Sequence, residues 1–334
     1  MNTGRSAAVA ALTAQTAAVL LLLALAAPAP AVELPGPLVE AGWLADHLDE
    51  VVMLDVRRDT ASFTGQTRLL KKKGSGRLQI LSIGGHIPGA RLVDYAKVRA
   101  TRDIDDSEVT RMLPEAAAFE TLMQDAGVDN DSIIVITSKG LTGDDVSQAT
   151  RLYWQLKYFG HDAVALLNGG IGHWVLEGHP LVRTVQTPRR GTWTATAQRT
   201  EILATSAEVA EAVAGDDAQL IDYRPLGAYL GTWKPSYVYE KGHIPGARPF
   251  PEELMTTRGA PARFPGTGRL RKLYEAMKLD PGVPSIAYCN SGNLASTGWF
   301  IQHELLGNDR VRLYDGSMHQ WTLEGRPVQR MELE

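Results

Sequence analysis

Two α/β units in tandem, each a mainly parallel sheet flanked by helices, are predicted from three observations. A chain of 334 residues is longer than one ordinary core needs and suits two domains. Gly85-His86-Ile87-Pro88-Gly89-Ala90-Arg91 returns unchanged as Gly242-His243-Ile244-Pro245-Gly246-Ala247-Arg248, so the chain carries an internal repeat. Within each half, short apolar runs alternate with amphipathic stretches, the pattern of a parallel sheet covered on both faces.

Residues 1–31 have a character of their own. One early cation, Arg5, precedes an apolar run from Ala17 to Ala27, and the small residues Ala29 and Ala31 follow. This is the pattern of an export signal cleaved before Val32. An uncleaved anchor is the competing reading, but the run falls short of the roughly 20 residues a span needs, and Thr13, Gln15 and Thr16 interrupt its extension. The expectation is a periplasmic protein that meets the membrane only if the segment stays attached.

The first unit, 32–183, opens with an apolar strand from Val51 to Leu54 that ends in Asp55-x-Arg57. Phe63-Thr64-Gly65, the first Gly-His-Ile-Pro-Gly-Ala-Arg segment, a strand from Ile133 to Thr137, and Leu167-Asn168-Gly169-Gly170 with Trp174 follow in that order. Residues 184–199 are polar and include Pro188, Arg189, Arg190 and Gly191, which marks a linker. In the second unit, 200–334, Ser206 is placed to cap a helix running through Val213. Leu220 to Ile221 reads as the strand before Asp222 and Arg224, and Tyr229-Leu230-Gly231 answers Phe63-Thr64-Gly65. Leu270 to Leu279 has helical periodicity, Ser285 to Tyr288 reads as a buried strand, and a helix is expected from about Leu294 to Leu306. Val311 to Leu313 gives another strand, Tyr314-Asp315-Gly316-Ser317 another turn, and Met318 to Leu323, with Trp321, another helix.

Composition narrows the function. Hydrophobic residues at 44% and charged residues at 22% fit a soluble globular protein. The net charge of -4 is spread along the chain with no basic stripe, which argues against nucleic acid as a partner. A single cysteine, Cys289, cannot form an internal disulfide, although an exported protein meets an oxidising compartment.

Cys289 falls between a buried strand and a helix, on the loop Cys289-Asn290-Ser291-Gly292-Asn293-Leu294. In an open parallel sheet, that edge faces the ligand crevice and the helix directs its amide hydrogens toward it. A loop curled around the sulfur would favour the thiolate, making Cys289 a nucleophile and not a buried hydrophobe.

Taken together, the two Gly-His-Ile-Pro-Gly-Ala segments, the Asp-x-Arg strand ends and the Cys289 to Leu294 loop resemble the rhodanese family over nearly the whole chain after residue 31. The resemblance implies two tandem rhodanese-like domains with a working C-terminal one. Aligning Ile133–Thr137 with Ser285–Tyr288 sets Ser138 or a neighbour opposite Cys289, so the first domain lacks a thiol, and its Lys139 to Ser147 loop is expected to be longer than its counterpart. The implied reaction takes sulfane sulfur from thiosulfate or 3-mercaptopyruvate onto Cys289 as a persulfide, then passes it to cyanide, a thiol or a protein acceptor. It requires no metal or organic cofactor.

The loop itself is uncharged. Asn290, Ser291 and Asn293 offer hydrogen bonds but no positive charge, so a cation for an anionic donor must come from elsewhere, and Arg248 and Lys234 are the candidates. His86 and His243 are read as turn braces because they are duplicated, and Asp222 with Arg224 as making an internal ion pair or backbone bonds because Asp55 and Arg57 repeat them. Trp299 and Trp321 are assigned to packing, and Lys71, Lys72 and Lys73 to a solvated loop face. His303 and His319 lack companions at metal-ligand spacing.

Two other functions compete. A cysteine phosphatase would need an arginine six residues after the thiol, where Ala295 stands. A sulfur carrier or sensing module of the same fold would use Cys289 without turnover and the first domain as a docking surface.

Overall fold

The computed structural model describes residues 32–331 apart from Ser75, Asp105 and Asp216. The segment read as an export signal lies outside the described residues.

In chain order the first half holds β1 (Leu38–Val39), α1 (Ala41–Asp46), β2 (Val52–Arg57), the ribbon β3 (Arg68–Lys71) and β4 (Leu78–Ser82), then β5 (Arg91–Asp94). A second ribbon, β6 (Ala100–Ile104) and β7 (Ser107–Met112), leads to α2 (Ala116–Asp125), β8 (Ile134–Thr137), α3 (Gly143–Tyr158), β9 (Val164–Leu167) and α4 (Gly170–Leu176). The second half holds β10 (Leu203–Ala204), α5 (Ser206–Ala214), β11 (Gln219–Asp222), α6 (Leu226–Tyr229), β12 (Arg248–Pro249) and α7 (Thr267–Ala276). It closes with β13 (Ser285–Tyr288), α8 (Asn293–Phe300), β14 (Val311–Tyr314) and α9 (Ser317–Leu323).

The five-stranded sheets run β1-β9-β8-β2-β5 and β10-β14-β13-β11-β12, all parallel and in the same relative order. Register confirms the repeat: Asp55 pairs with Thr137 as Asp222 pairs with Tyr288. Strands β8 and β13, each bounded by helices, are buried throughout, as a sheet covered on both faces requires.

The duplicated motifs do the same structural work twice. Arg57 grips Asp55 at 2.6 Å and donates to the Gly85 carbonyl, while Arg224 grips Asp222 at 2.5 Å and donates to the Gly242 carbonyl. All four side chains are buried, and each arginine ties a strand end to the repeated glycine. His86 stacks on Phe63 with ring centroids 3.8 Å apart and donates to its carbonyl; His243 does the same on Tyr229 at 3.9 Å. The indoles of Trp174 and Trp321 donate to the carbonyls of Pro180 and Pro327, and buried Trp299 donates to that of Val311.

Three local expectations need correction. The cap of α5 is Thr205, whose hydroxyl accepts from the Glu208 amide while the Glu208 carboxylate accepts in return; Ser206 lies inside the helix. The Lys139 loop is longer than its counterpart, 138–142 against 289–292, but it does not reach Ser147, because Thr142 and Asp145 form the same capping box and start α3 at Gly143. The α8 helix stops at Phe300, and a π-helical turn carries the chain on to Leu305.

Residues 184–199 form no regular element, yet they lie strapped along the first sheet's helices. The amides of Gly191, Trp193 and Thr196 donate to the carbonyls of Gln124, Val128 and Phe159, and buried Trp193 meets the Phe119 ring edge-on at 5.4 Å. The two halves join through α3 and α8. Thr150 lies 2.9 Å from the hydroxyls of both Ser296 and Thr297, and Tyr153 meets Phe300 edge-on at 4.9 Å. Small residues at these positions let the two helices approach closely. One hydrophobic cluster consequently runs from Leu54 and Ile136 in the first half to Ala287 and Leu313 in the second.

Candidate active site

Cys289 follows the last residue of β13, at the carboxyl edge of the second sheet. It is 2% exposed and lines a cleft of about 430 Å³ between the two halves. The turn after β14 holds its loop. Ser317, with a left-handed backbone at φ 49°, accepts at Oγ from the amides of both Cys289 and Gly292, each at 3.1 Å. The amides of Met318 and His319 donate back to the carbonyls of Cys289 and Asn290 at 3.0 Å.

Equivalent bonds identify the partner of Cys289 in the first half. The amides of Ile171 and Gly172 donate at 3.0 Å to the carbonyls of Ser138 and Lys139. Ser138 therefore occupies the cysteine position, with a hydroxyl where the second half has a thiol.

Gly292 is required by its surroundings. Its φ is 72°, and a Cβ there would meet Asp315 Oδ1 at 2.5 Å and an Arg151 nitrogen at 2.6 Å. Those two atoms belong to a buried ion pair across the interface, Arg151 from α3 against Asp315 from the β14 turn, 2.5 Å apart. Asp315 also accepts from the Leu113 amide at 2.5 Å, so the first half holds the turn that holds the cysteine loop.

The positive charge at the cleft comes from the first half. Arg58, Arg99 and Arg111 line it, with Asp144 beside them and Tyr237 on the facing wall. Arg58 and Arg99 lie on the Tyr95 ring at 4.9 and 4.7 Å from its centroid, and the Tyr95 hydroxyl donates to Asn293. Arg99 reaches the Ser291 hydroxyl at 3.4 Å, and Arg111 lies over Tyr237 at 4.0 Å. Burial holds the Arg99 pKa below its ordinary value; Tyr95 opposes this, and Arg151, Arg58 and Arg111 add to it by repulsion. A cluster whose members repel one another is built to receive an anion.

Arg248 and Lys234, the cations expected from the sequence, are not among the residues lining this cleft. Arg248 opens β12 and donates to the Lys278 carbonyl beyond α7, lining a different concavity with Gln219 and Pro284 at the amino ends of β11 and β13. Arg91, its repeat partner, donates to the carbonyls of Ala126 and Gly127 beyond α2. The duplicated arginine thus satisfies carbonyls at a helix C-terminus in both halves. Lys234 donates to the Val238 carbonyl four residues on. The sequence did set one of the cleft-lining arginines apart: Arg58 has Pro225 as its counterpart, so it follows only the first of the two Asp-x-Arg pairs.

Among the described residues, no cluster of three or more His, Cys, Asp and Glu side chains is arranged to hold a metal ion.

The profile of the rhodanese-like domain matches residues 40–177 and again 205–324, one copy for each sheet.

The chain belongs to the rhodanese family.

Its relatives in that family include rat (Rattus norvegicus) thiosulfate sulfurtransferase, 31% identical over 300 residues, with 88% of this chain and 94% of the relative covered. Sulfur carrier protein TtuD of Thermus thermophilus is also 31% identical, over 89% of this chain and 98% of its own length. Among solved structures, SseA from Escherichia coli, described with the rhodanese fold and catalytic mechanism of 3-mercaptopyruvate sulfotransferases, superposes with a TM-score of 0.65. It is 26% identical, covering 84% of this chain and 98% of SseA. This tandem rhodanese is accordingly a member of a sulfurtransferase family, with its one thiol in the second domain.

Proposed function

We propose that the protein transfers sulfane sulfur from a small anionic donor, thiosulfate or 3-mercaptopyruvate, through a persulfide on Cys289. The observation that carries this reading is the lone thiol on an interdomain cleft lined by Arg58, Arg99 and Arg111. The amides of Asn290, Ser291, Asn293 and Leu294, on the loop that follows Cys289, have no acceptor among the described residues, which supports binding of an anionic group there.

The Cys289 thiolate attacks the outer sulfur of thiosulfate. An S–S bond forms as the donor's S–S bond breaks, and sulfite leaves with the electron pair. With 3-mercaptopyruvate the C–S bond breaks instead, and the pyruvate enolate takes a proton. A thiolate or cyanide then attacks the outer sulfur of the persulfide and expels the Cys289 thiolate, completing a ping-pong cycle. The arginines bind the donor's oxygens and favour departure of the anionic product. In this reading the first domain has no nucleophile but supplies the charge.

Incubation with either donor is expected to add one sulfur to the intact mass, removable by cyanide. Cys289→Ser should gain none and turn over neither donor, because a serine hydroxyl cannot form a persulfide. Turnover by that variant would sink the proposal.

A carrier role is the second reading, favoured by the relative named as a sulfur carrier. A protein donor and acceptor would then replace steady-state turnover of small donors, and measuring that turnover separates the two. The leading segment further supports export to the periplasm, and the N-terminus of the isolated protein tests this: Val32 is expected, and Met1 on a membrane-bound product would count against it.

A further inference from the structure

Between Asp59 and Asp94 the chain contains no acidic residue, while Arg68, Lys71, Lys72 and Lys73 crowd onto strand β3 and the turn after it. The ribbon β3–β4 that carries them has no equivalent in the second half, where the interval from Gly231 to Gly242 is too short to hold one. Neither the repeated scaffold nor the sulfur chemistry accounts for it.

The ribbon also carries exposed leucines on both of its strands. Pairing sets Leu69 opposite Ile80, Leu70 opposite Gln79 and Lys71 opposite Leu78. Leu69, Leu78 and Ile80 therefore share one face and Leu70 lies on the other, while Leu81 is the extra residue of a bulge opposite Arg68 and Leu69. Ile80 alone among these is buried, against Gly172 of α4, and so anchors the ribbon to the body. The four leucines are 38%, 45%, 48% and 50% exposed for Leu69, Leu78, Leu70 and Leu81. Half-exposed leucines beside a run of lysines, in a stretch without acidic residues, suit a bilayer interface, whose headgroup boundary takes the leucines and whose anionic headgroups neutralise the lysines.

We propose that the β3–β4 ribbon docks on a bilayer surface rich in anionic lipid, with its exposed leucines in the headgroup boundary and Lys71, Lys72 and Lys73 on the lipid phosphates. The attachment is peripheral and independent of the leading segment.

Flotation with vesicles of phosphatidylglycerol and phosphatidylcholine, against phosphatidylcholine alone, tests this. It is run on the full chain and on the chain from Val32, which keeps every described core residue. Wild type in both forms is expected to float with the anionic vesicles and to be released by salt. Lys71→Glu/Lys72→Glu/Lys73→Glu should lower the partition by about tenfold or more. Leu70→Ser/Leu81→Ser should lower it even at low salt, and Leu70→Ser alone serves if the double variant does not fold. All variants should keep wild-type sulfur uptake at Cys289, since the ribbon does not line the cleft. Failure of the chain from Val32 to bind, equal binding to neutral vesicles, or unchanged binding by the charge-reversed variant would each overturn the proposal; the first would leave an acidic protein surface as the ribbon's partner.

Discussion

Ser317 and Arg99 show how much of the site rests on single side chains. Ser317 Oγ is the shared acceptor for two buried amides of the cysteine loop, those of Cys289 and Gly292. Ser317→Ala leaves both without that partner and should cost about 1–3 kcal/mol by urea unfolding, since an unsatisfied buried donor loses its full desolvation energy. Arg99 approaches the loop at Ser291 from the opposite domain. Arg99→Met should reduce kcat/KM for thiosulfate about 10- to 100-fold, mostly through KM, because a charge-assisted bond to an anion is worth roughly 1.5–3 kcal/mol. Arg99→Lys should recover part of the loss in the same steady-state assay.

At the scale of elements, the loop, the β14 turn and the α3 helix form one mechanical unit. Arg151 is buried with Asp315 at 2.5 Å, and the Arg151 guanidinium lies 5.0 Å from the Trp154 ring centroid. Arg151→Ala leaves a buried carboxylate without its cation and should destabilise the protein by about 3–5 kcal/mol, measured by chemical denaturation. Gly292→Ala should abolish sulfur uptake, because its Cβ would be driven into the same ion pair from a backbone conformation that favours glycine. Retained persulfide formation by that variant would show that the loop can relax away from the pair.

For the molecule as a whole, the shared hydrophobic cluster makes the domains interdependent. A fragment of residues 200–334 exposes the α8 face that packs on α3 and lacks all three cleft arginines, so it should aggregate and fail to take up sulfur. Full activity from that fragment would show that the first domain is dispensable. Acid should weaken the intact protein in a defined window. Burial lowers the pKa values of His161, His243 and His319, so the folded form resists protonation that the unfolded chain accepts near the ordinary histidine value of about 6.5. Their contribution is complete above that value and is lost as the pH falls through it toward the lowered values of the fold. Melting temperature should therefore drop between about pH 8 and about pH 5.5.

The sequence by itself determined the duplicated α/β plan, because strand and helix periodicity and the repeated turns are local properties written in adjacent residues. It also located Cys289 at a strand-to-helix junction, where chain order alone puts a residue at the sheet's carboxyl edge. The ion pairs Asp55–Arg57 and Asp222–Arg224 were legible for the same reason, since their partners are two residues apart. Only the tertiary structure decided where the positive charge lies. Arg58, Arg99 and Arg111 are separated from Cys289 by much of the chain, and they meet it because α3 packs on α8 and brings the β6–β7 ribbon across the cleft. Arg248, though nearer in sequence and level with Ala287 in register, turns its side chain to the Lys278 carbonyl and a different concavity, away from the cleft that Cys289 lines.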